Sequence, residues 1–125
     1  MSRNGFNAPG AASVGSYSHA VEIDGFLYLS GQTPLDPPTS ALVLGPIADQ
    51  TRQCLANLLA VLETAGLNTD DVIKCNTFLI DMNDFAEYDA VYRTFFNEPY
   101  PARTTVQVAA LPMGAHIEFE MIAHR

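Results

Sequence analysis

Ala115-His116-Ile117-Glu118-Phe119-Glu120-Met121 alternates apolar and polar residues without a break. That is the two-residue period of a strand with one buried face. Ile117, Phe119 and Met121 point one way; His116, Glu118 and Glu120 point the other. The strand is expected to run from Ala115 to Ala123. Just upstream, Pro99-Tyr100-Pro101-Ala102-Arg103-Thr104-Thr105-Val106-Gln107-Val108 sets a lone Arg at the start of another strand, Arg103 to Ala109, behind two prolines that restrict the backbone. Arg offers a planar fork of donors that matches a carboxylate bidentately. An anchoring Arg and a projecting Glu on neighbouring strands make a site that holds a small acid and moves a proton. A structural Arg–Glu pair on a sheet face is the plain alternative.

Working outward, Tyr17 to Ile23 reads as a strand, Asp24-Gly25 as a type I′ hairpin turn with positive φ at both positions, and Phe26 to Ser30 as the return strand. Gly31-Gln32-Thr33-Pro34 ends it. Pro37-Pro38 forbids helix or central strand in the loop that follows, and Leu42 to Leu44 reads as a short strand. Gly45-Pro46 opens a helix on which Ile47, Thr51, Cys54, Leu55, Leu58, Leu62 and Ala65 recur at helical spacing, with Gly66 as the stop. Val72 to Ile80 is a strand. Asp81-Met82-Asn83-Asp84 caps a second helix, from about Asp84 to Phe96, whose apolar face is Phe85, Tyr88, Tyr92 and Phe95. These aromatics read as core packing rather than as a stacking platform.

The order is βββαβαββ in a single domain over residues 1–125. It is satisfied by an α+β fold with one mixed sheet and two helices on one face. The other sheet face is then bare in a monomer, and a bare, partly apolar face of that size marks an interface. An oligomer is expected.

The chain carries 6 Lys and Arg against 14 Asp and Glu, a formal net charge of −8, and its cations are scattered. This argues against a nucleic-acid partner, whose phosphates require clustered Lys and Arg; none is expected. No apolar run approaches a membrane helix, and Met1-Ser2-Arg3-Asn4-Gly5-Phe6 lacks the apolar core of a signal peptide. No membrane partner and a cytoplasmic location are expected. Cys54 and Cys75 are the only cysteines, and their positions on an apolar stripe and in a strand read as buried free thiols. His19, His116 and His124 show no metal-ligand spacing. No metal and no nucleophilic Cys–His or Ser–His pair are expected.

Gly15-Ser16-Tyr17-Ser18, Ser30-Gly31-Gln32-Thr33-Pro34-Leu35-Asp36-Pro37, Gln50-Thr51-Arg52-Gln53, Asp81-Met82-Asn83-Asp84-Phe85, Tyr100-Pro101-Ala102-Arg103 and Ile117-Glu118-Phe119-Glu120 together resemble the RidA (YjgF) family. The resemblance runs from about Asn7 to Ala123, in the correct order. It implies a chorismate-mutase-like homotrimer, helices outside and sheets facing inward, with ligand clefts between subunits. It also implies hydrolysis of reactive 2-imino and enamine acids, of the 2-aminoacrylate and 2-iminobutanoate type, to 2-oxo acids and ammonia, without cofactor or metal. By the same resemblance Arg103 grips the substrate carboxylate and Glu118 orients or deprotonates the attacking water. Tyr17, Ser30 and Gly31 line the cleft, and Thr105 stands where the family often has Cys.

The departures bear on substrate range. Asp89, at a binding position, stands where many members carry Asn, and a second anion there weakens binding of an anionic substrate. Ser16 replaces the usual Pro, His19 the usual Gln, and Ala110 stands where an Arg is common. Glu120 shares the strand face of Glu118 and reads either as solvent-facing or as a carboxylate close enough to raise its neighbour's pKa. Two other functions are open: a non-catalytic sensor of small carboxylic acids in the same clefts, and the ribonuclease activity attributed to some relatives, which a trimer of three times −8 opposes by repelling RNA.

Overall fold

In the computed structural model, which describes residues 3–11 and 15–125, the Asp24-Gly25 signal does what its backbone freedom allows. Asp24 has φ 50° and Gly25 φ 81°, and the turn joins β2 (Ala20–Ile23) to β3 (Phe26–Gln32) as an antiparallel hairpin. Asn4–Phe6 forms β1, on the outer side of β2. Met1 and Ser2, at the start of the segment read against a signal peptide, lie outside the described residues. The sheet continues with β6 (Ile117–His124), β4 (Val72–Leu79) and β5 (Ala102–Gln107), in the order β1-β2-β3-β6-β4-β5. Among the described residues the only parallel pair is β4 with β5. Such a pair needs a crossover, and α2 (Phe85–Phe95) lies between its two strands in the chain.

α1 (Ile47–Thr64) begins behind Pro46. Its second residue, Ala48, donates its N–H to a Glu87 carboxylate oxygen of α2 at 2.9 Å, so an acid on one helix satisfies an open N-terminal donor of the other. Gly66, at φ 77°, closes α1: its N–H reaches the Glu63 carbonyl, and that of Leu67 the Leu62 carbonyl. The apolar stripe of α1, Cys54, Leu55, Leu58, Val61 and Leu62, is buried with Leu27, Leu29, Leu79, Ile117, Phe119 and Met121 of the sheet. Tyr88 and Tyr92 of α2 close the layer over Phe119, with ring centroids 5.7 and 6.3 Å away. Both cysteines are buried free thiols.

The sequence order βββαβαββ holds, but its third strand is a different one. Leu42 makes only an isolated bridge to Leu35, because the Pro37-Pro38 loop folds back on itself, Asp36 N–H to Ala41 carbonyl and Val43 N–H to Pro34 carbonyl, and meets no sheet edge. Asn4–Phe6 supplies the extra strand instead.

Both helices lie on one side. The opposite face carries Val21, Phe26, Tyr28, Phe78, Val106 and Ile122 by register, and Tyr28 is 49% and Val106 42% exposed. Apolar area of this kind gains roughly 25 cal/mol for each Å² removed from water. Among the described residues no helix is long and apolar enough to cross a membrane. The face therefore predicts self-association. Sedimentation velocity at low micromolar concentration should give a species several times heavier than the 13.6 kDa chain, and Tyr28→Glu should shift it towards monomer. A wild-type monomer at that concentration refutes the inference.

Candidate functional site

Arg103 is the second residue of β5, two positions after Pro101, and the register decides where its side chain goes. Arg103 pairs with Cys75, and Cys75 pairs with Met121. Directly paired residues share a face, so Arg103 lies on the helix side. There its guanidinium rests over three aromatic rings of α2, 5.3 Å from the centroid of Phe85, 5.3 Å from Tyr88 and 4.6 Å from Tyr92. Cation–π attraction fixes the plane of the fork. Its Nη1 donates to Asp89 Oδ1 at 2.7 Å, and the other Asp89 oxygen accepts from Arg93 Nη2 at 2.8 Å. Burial works against the Asp89 carboxylate, but the bonds from Arg93 and Arg103 outweigh it and hold its pKa below the usual range. Asp89, Tyr92, Arg93, Glu98, Tyr100 and Arg103 border a hollow of about 440 Å³. Thr105, on the same face, hydrogen-bonds the Tyr88 hydroxyl and so braces the ring beneath Arg103.

Glu118 pairs with Phe78 and lies on the opposite face. It borders a second hollow of about 190 Å³ with Tyr17, Ser30, Gly31, Thr33 and Pro112. Ser30 is aimed by its hydroxyl, which donates to the Ser18 carbonyl at 2.7 Å. Gly31 lets the Glu118 carboxylate come close to the backbone: a Cβ there would stand 2.6 Å from Glu118 Oε1 and 3.0 Å from its Cδ, so a side chain at this position shifts the carboxylate. Burial, and secondarily the charge of Glu120, raises the Glu118 pKa. Glu120 itself accepts from Asn76 Nδ2 at 3.1 Å and is only half-exposed, so it is not simply solvent-facing.

The structure thus gathers Tyr17, Ser30, Gly31 and Glu118 in one place, and Asp89, Arg103 and Thr105 in another. It does not bring Arg103 and Glu118 together within one chain. β5 and β6 are not neighbours as the sequence suggested, because β4 lies between them, and their functional side chains leave by opposite faces. Sequence reasoning assigned Tyr88 and Tyr92 to core packing; they pack the core and are also the platform for Arg103. Their spacing is the signal for both roles, and only the pairing of β4 with β5 tells that Arg103 meets them. Pro112 and Thr33 were missed, since neither carries chemistry recognisable on its own. Neither cysteine is poised as a nucleophile: burial drives the Cys54 pKa far up and the Cys75 pKa to about 12.

With this geometry in hand, comparison with known proteins is informative. The model of the family described as endoribonuclease L-PSP matches residues 7–125. A protein of Pyrococcus horikoshii named only as a RutC family protein is 48% identical over 119 residues, covering 95% of this chain and 93% of its own. A protein of Mus musculus named 2-iminobutanoate/2-iminopropanoate deaminase is 44% identical over 112 residues, 90% of this chain and 83% of its own. Among solved structures, E. coli TdcF with bound serine superposes with a TM-score of 0.91 at 37% identity, covering 98% of both chains. The chain belongs to this family, the RidA family to which its motifs point.

The Glu118 hollow makes a measurable claim. In a carbon-13 NMR titration the Glu118 carboxyl should titrate above the ordinary value of 4.5. Glu120→Gln should lower the midpoint without restoring it, since burial remains. Gly31→Ala should bring it closer to ordinary by displacing the carboxylate towards water. A wild-type midpoint at or below 4.5 contradicts this description of the hollow.

Proposed function

We propose that this member of the RidA family hydrolyses small 2-imino acids, and enamines that tautomerise to them, to 2-oxo acids and ammonia. Its active cleft forms where the Arg103 hollow of one copy meets the Glu118 hollow of the next, in a homotrimer. The observation that carries the reading is the division of the site. The Arg103 hollow offers a pre-oriented cation whose bonded carboxylate, Asp89, has a lowered pKa, and the lining of the other hollow offers a carboxylate of raised proton affinity with no cation beside it. Each half has what the other lacks. The mouse relative's name supports the reaction class. The serine held by the E. coli relative supports a ligand of amino-acid size.

The chemistry asks little of the protein. A protonated imine carbon is already electrophilic, so no covalent nucleophile is needed. Arg103 holds the substrate carboxylate and thereby places the C=N carbon over the Glu118 hollow. Glu118, as carboxylate, takes a proton from water as its oxygen bonds to that carbon. The resulting carbinolamine carries the former imine nitrogen as an amine. Glu118 returns the proton to that nitrogen; a lone pair of the hydroxyl oxygen forms the carbonyl as the C–N bond breaks with its electrons going to nitrogen, and the hydroxyl proton passes by way of the Glu118 carboxylate to the departing ammonia, which leaves as ammonium. A group whose proton affinity is raised by burial suits both halves of this exchange. The expected small-molecule partner is therefore an imino or oxo acid, with no metal or cofactor in any step.

The family description names an endoribonuclease, yet the surface opposes RNA. The net charge is −8 with 6 Lys and Arg. Of these, Arg52, Arg93, Arg103 and Arg125 each stand beside a carboxylate, which offsets their positive potential towards a phosphate backbone. On the alternative reading, a sensor of small carboxylic acids, the oxo acid binds and the imine is not turned over.

Subunit mixing tests the reading. Arg103→Ala and Glu118→Gln should each abolish most hydrolysis of freshly generated 2-iminobutanoate, with Glu118→Gln keeping its affinity for 2-oxobutanoate. When the two variants are unfolded, mixed equally and refolded, about one cleft in four should pair an intact Arg103 with an intact Glu118, which follows from head-to-tail assembly. Activity should return to about a quarter of wild type. No recovery overturns the shared cleft. Full turnover by Glu118→Gln alone overturns the mechanism.

A further inference from the structure

The Arg103 fork already holds a carboxylate, and it belongs to the protein. Asp89 lies one helical turn before Arg93 on α2, and its two oxygens are divided between Arg103 at 2.7 Å and Arg93 at 2.8 Å. Arg103 and Asp89 are equally accessible, with 23% of each side chain exposed, and both border the 440 Å³ hollow. A substrate carboxylate arriving at Arg103 therefore meets an anion of the same chemistry bonded to the same guanidinium. The second cation, Arg93, is 63% exposed. Its recorded bond is to Asp89, on the oxygen that Arg103 does not take.

From this we infer that Asp89 is an internal competitor for the anchor, a positioning residue that sets how tightly the site holds any 2-oxo or 2-imino carboxylate. Arg93 acts as its counterweight. This rests on the reading of Arg103 as the carboxylate anchor given above. Three consequences follow from charge and geometry. With the site empty, Asp89 completes the coordination of Arg103 and keeps the fork flat over Phe85, Tyr88 and Tyr92, so the anchor does not collapse between turnovers. With substrate bound, two carboxylates share one guanidinium, and their repulsion weakens the complex. Arg93 relieves that repulsion by drawing Asp89 the other way.

The effect is uniform. Substrate, transition state and product all present the same carboxylate to Arg103, while the reacting carbon lies towards Glu118. Uniform weakening raises KM and the product inhibition constant together and leaves kcat alone. A hydrolase of short-lived imines gains from this arrangement, because its product is a stable 2-oxo acid that would otherwise stay on the anchor.

The test compares three variants with wild type, with imine decay and 2-oxobutanoate inhibition as readouts and calorimetric binding of 2-oxobutanoate as a measurement independent of turnover. Asp89→Asn keeps the shape and one carbonyl acceptor, enough for one of the two arginines, and removes the charge. KM, the inhibition constant and the Kd should each fall by about tenfold, the order expected for removing a nearby like charge partly offset by a counterion, with kcat within about twofold of wild type. Arg93→Gln should raise all three by severalfold at the same kcat. The double variant should match Asp89→Asn, because Arg93 works only through Asp89.

A rise or no change in KM for Asp89→Asn overturns the inference while leaving the deaminase reading intact. If KM rises on Arg93→Gln in the Asp89→Asn background as well, Arg93 touches substrate directly and its assignment as counterweight is wrong. A wild-type protein that neither hydrolyses the imine nor binds the oxo acid brings down the functional reading, and this inference with it.

Discussion

Successive side chains of a strand leave by opposite faces, and β4 carries that parity from β6 to β5. Register pairs Arg103 with Cys75 and Cys75 in turn with Met121, and Phe78 with Glu118. Two groups that an acid-handling site needs together are therefore held apart by the sheet itself, and no rotamer change within one chain unites them. A slip of one residue would send Arg103 out from under α2. The buried run Cys75, Thr77 and Leu79 on β4, set against Met121, Phe119 and Ile117, opposes such a slip, because it would expose each of those side chains. The packing of the core and the division of the site thus have the same cause.

Much of the fold was legible because its signals are local. Asp24-Gly25 permits the positive φ that a type I′ turn needs, Gly66 ends a helix whose stripe repeats over five turns, and the alternation from Ile117 to Met121 belongs to one strand alone. β1 was missed because Asn4-Gly5-Phe6 has no alternation to read; it exists through its pairing with β2. Leu42–Leu44 was misread for the converse reason, since favourable residues without an available edge do not make a strand. The pairing of β5 was beyond local reading, as parallel neighbours are fixed by the crossover and by burial contributed from elsewhere in the chain.

The candidate site divides along the same line. Glu118 and Gly31 were legible as residues, but their mutual constraint was not, because the approach of a carboxylate to a Cα is a matter of β3 lying against β6. Asp89 was legible as a departure from its relatives. What it does is visible only once the helix is laid over Arg103, where its charge is taken up by two guanidiniums. Thr105 offers a similar lesson: standing where relatives often carry Cys, it spends its hydroxyl on Tyr88, and its effect on Arg103 passes through an aromatic ring.

The bare sheet face and the chemistry are best considered together. Burying a sheet face is costly where it carries charged groups, since each costs free energy when desolvated unless paired. This one keeps Glu118, Glu120 and Lys74 among Tyr28, Phe78 and Ile122. Glu120 is bonded by Asn76, and Lys74 by the Thr104 hydroxyl at 3.1 Å, so both have partners within the chain. Glu118 differs. Burial dominates its electrostatics, the other influence on its pKa is the like charge of Glu120, and both act in the same direction. The sheet face therefore satisfies two of its ionic groups and leaves the third, held against Gly31 at the mouth of a hollow, with its proton affinity raised. A carboxylate in that condition is stabilised by gaining a proton or by meeting a cation, and Arg103, with its aromatic platform beneath it, leaves the sheet by the other face.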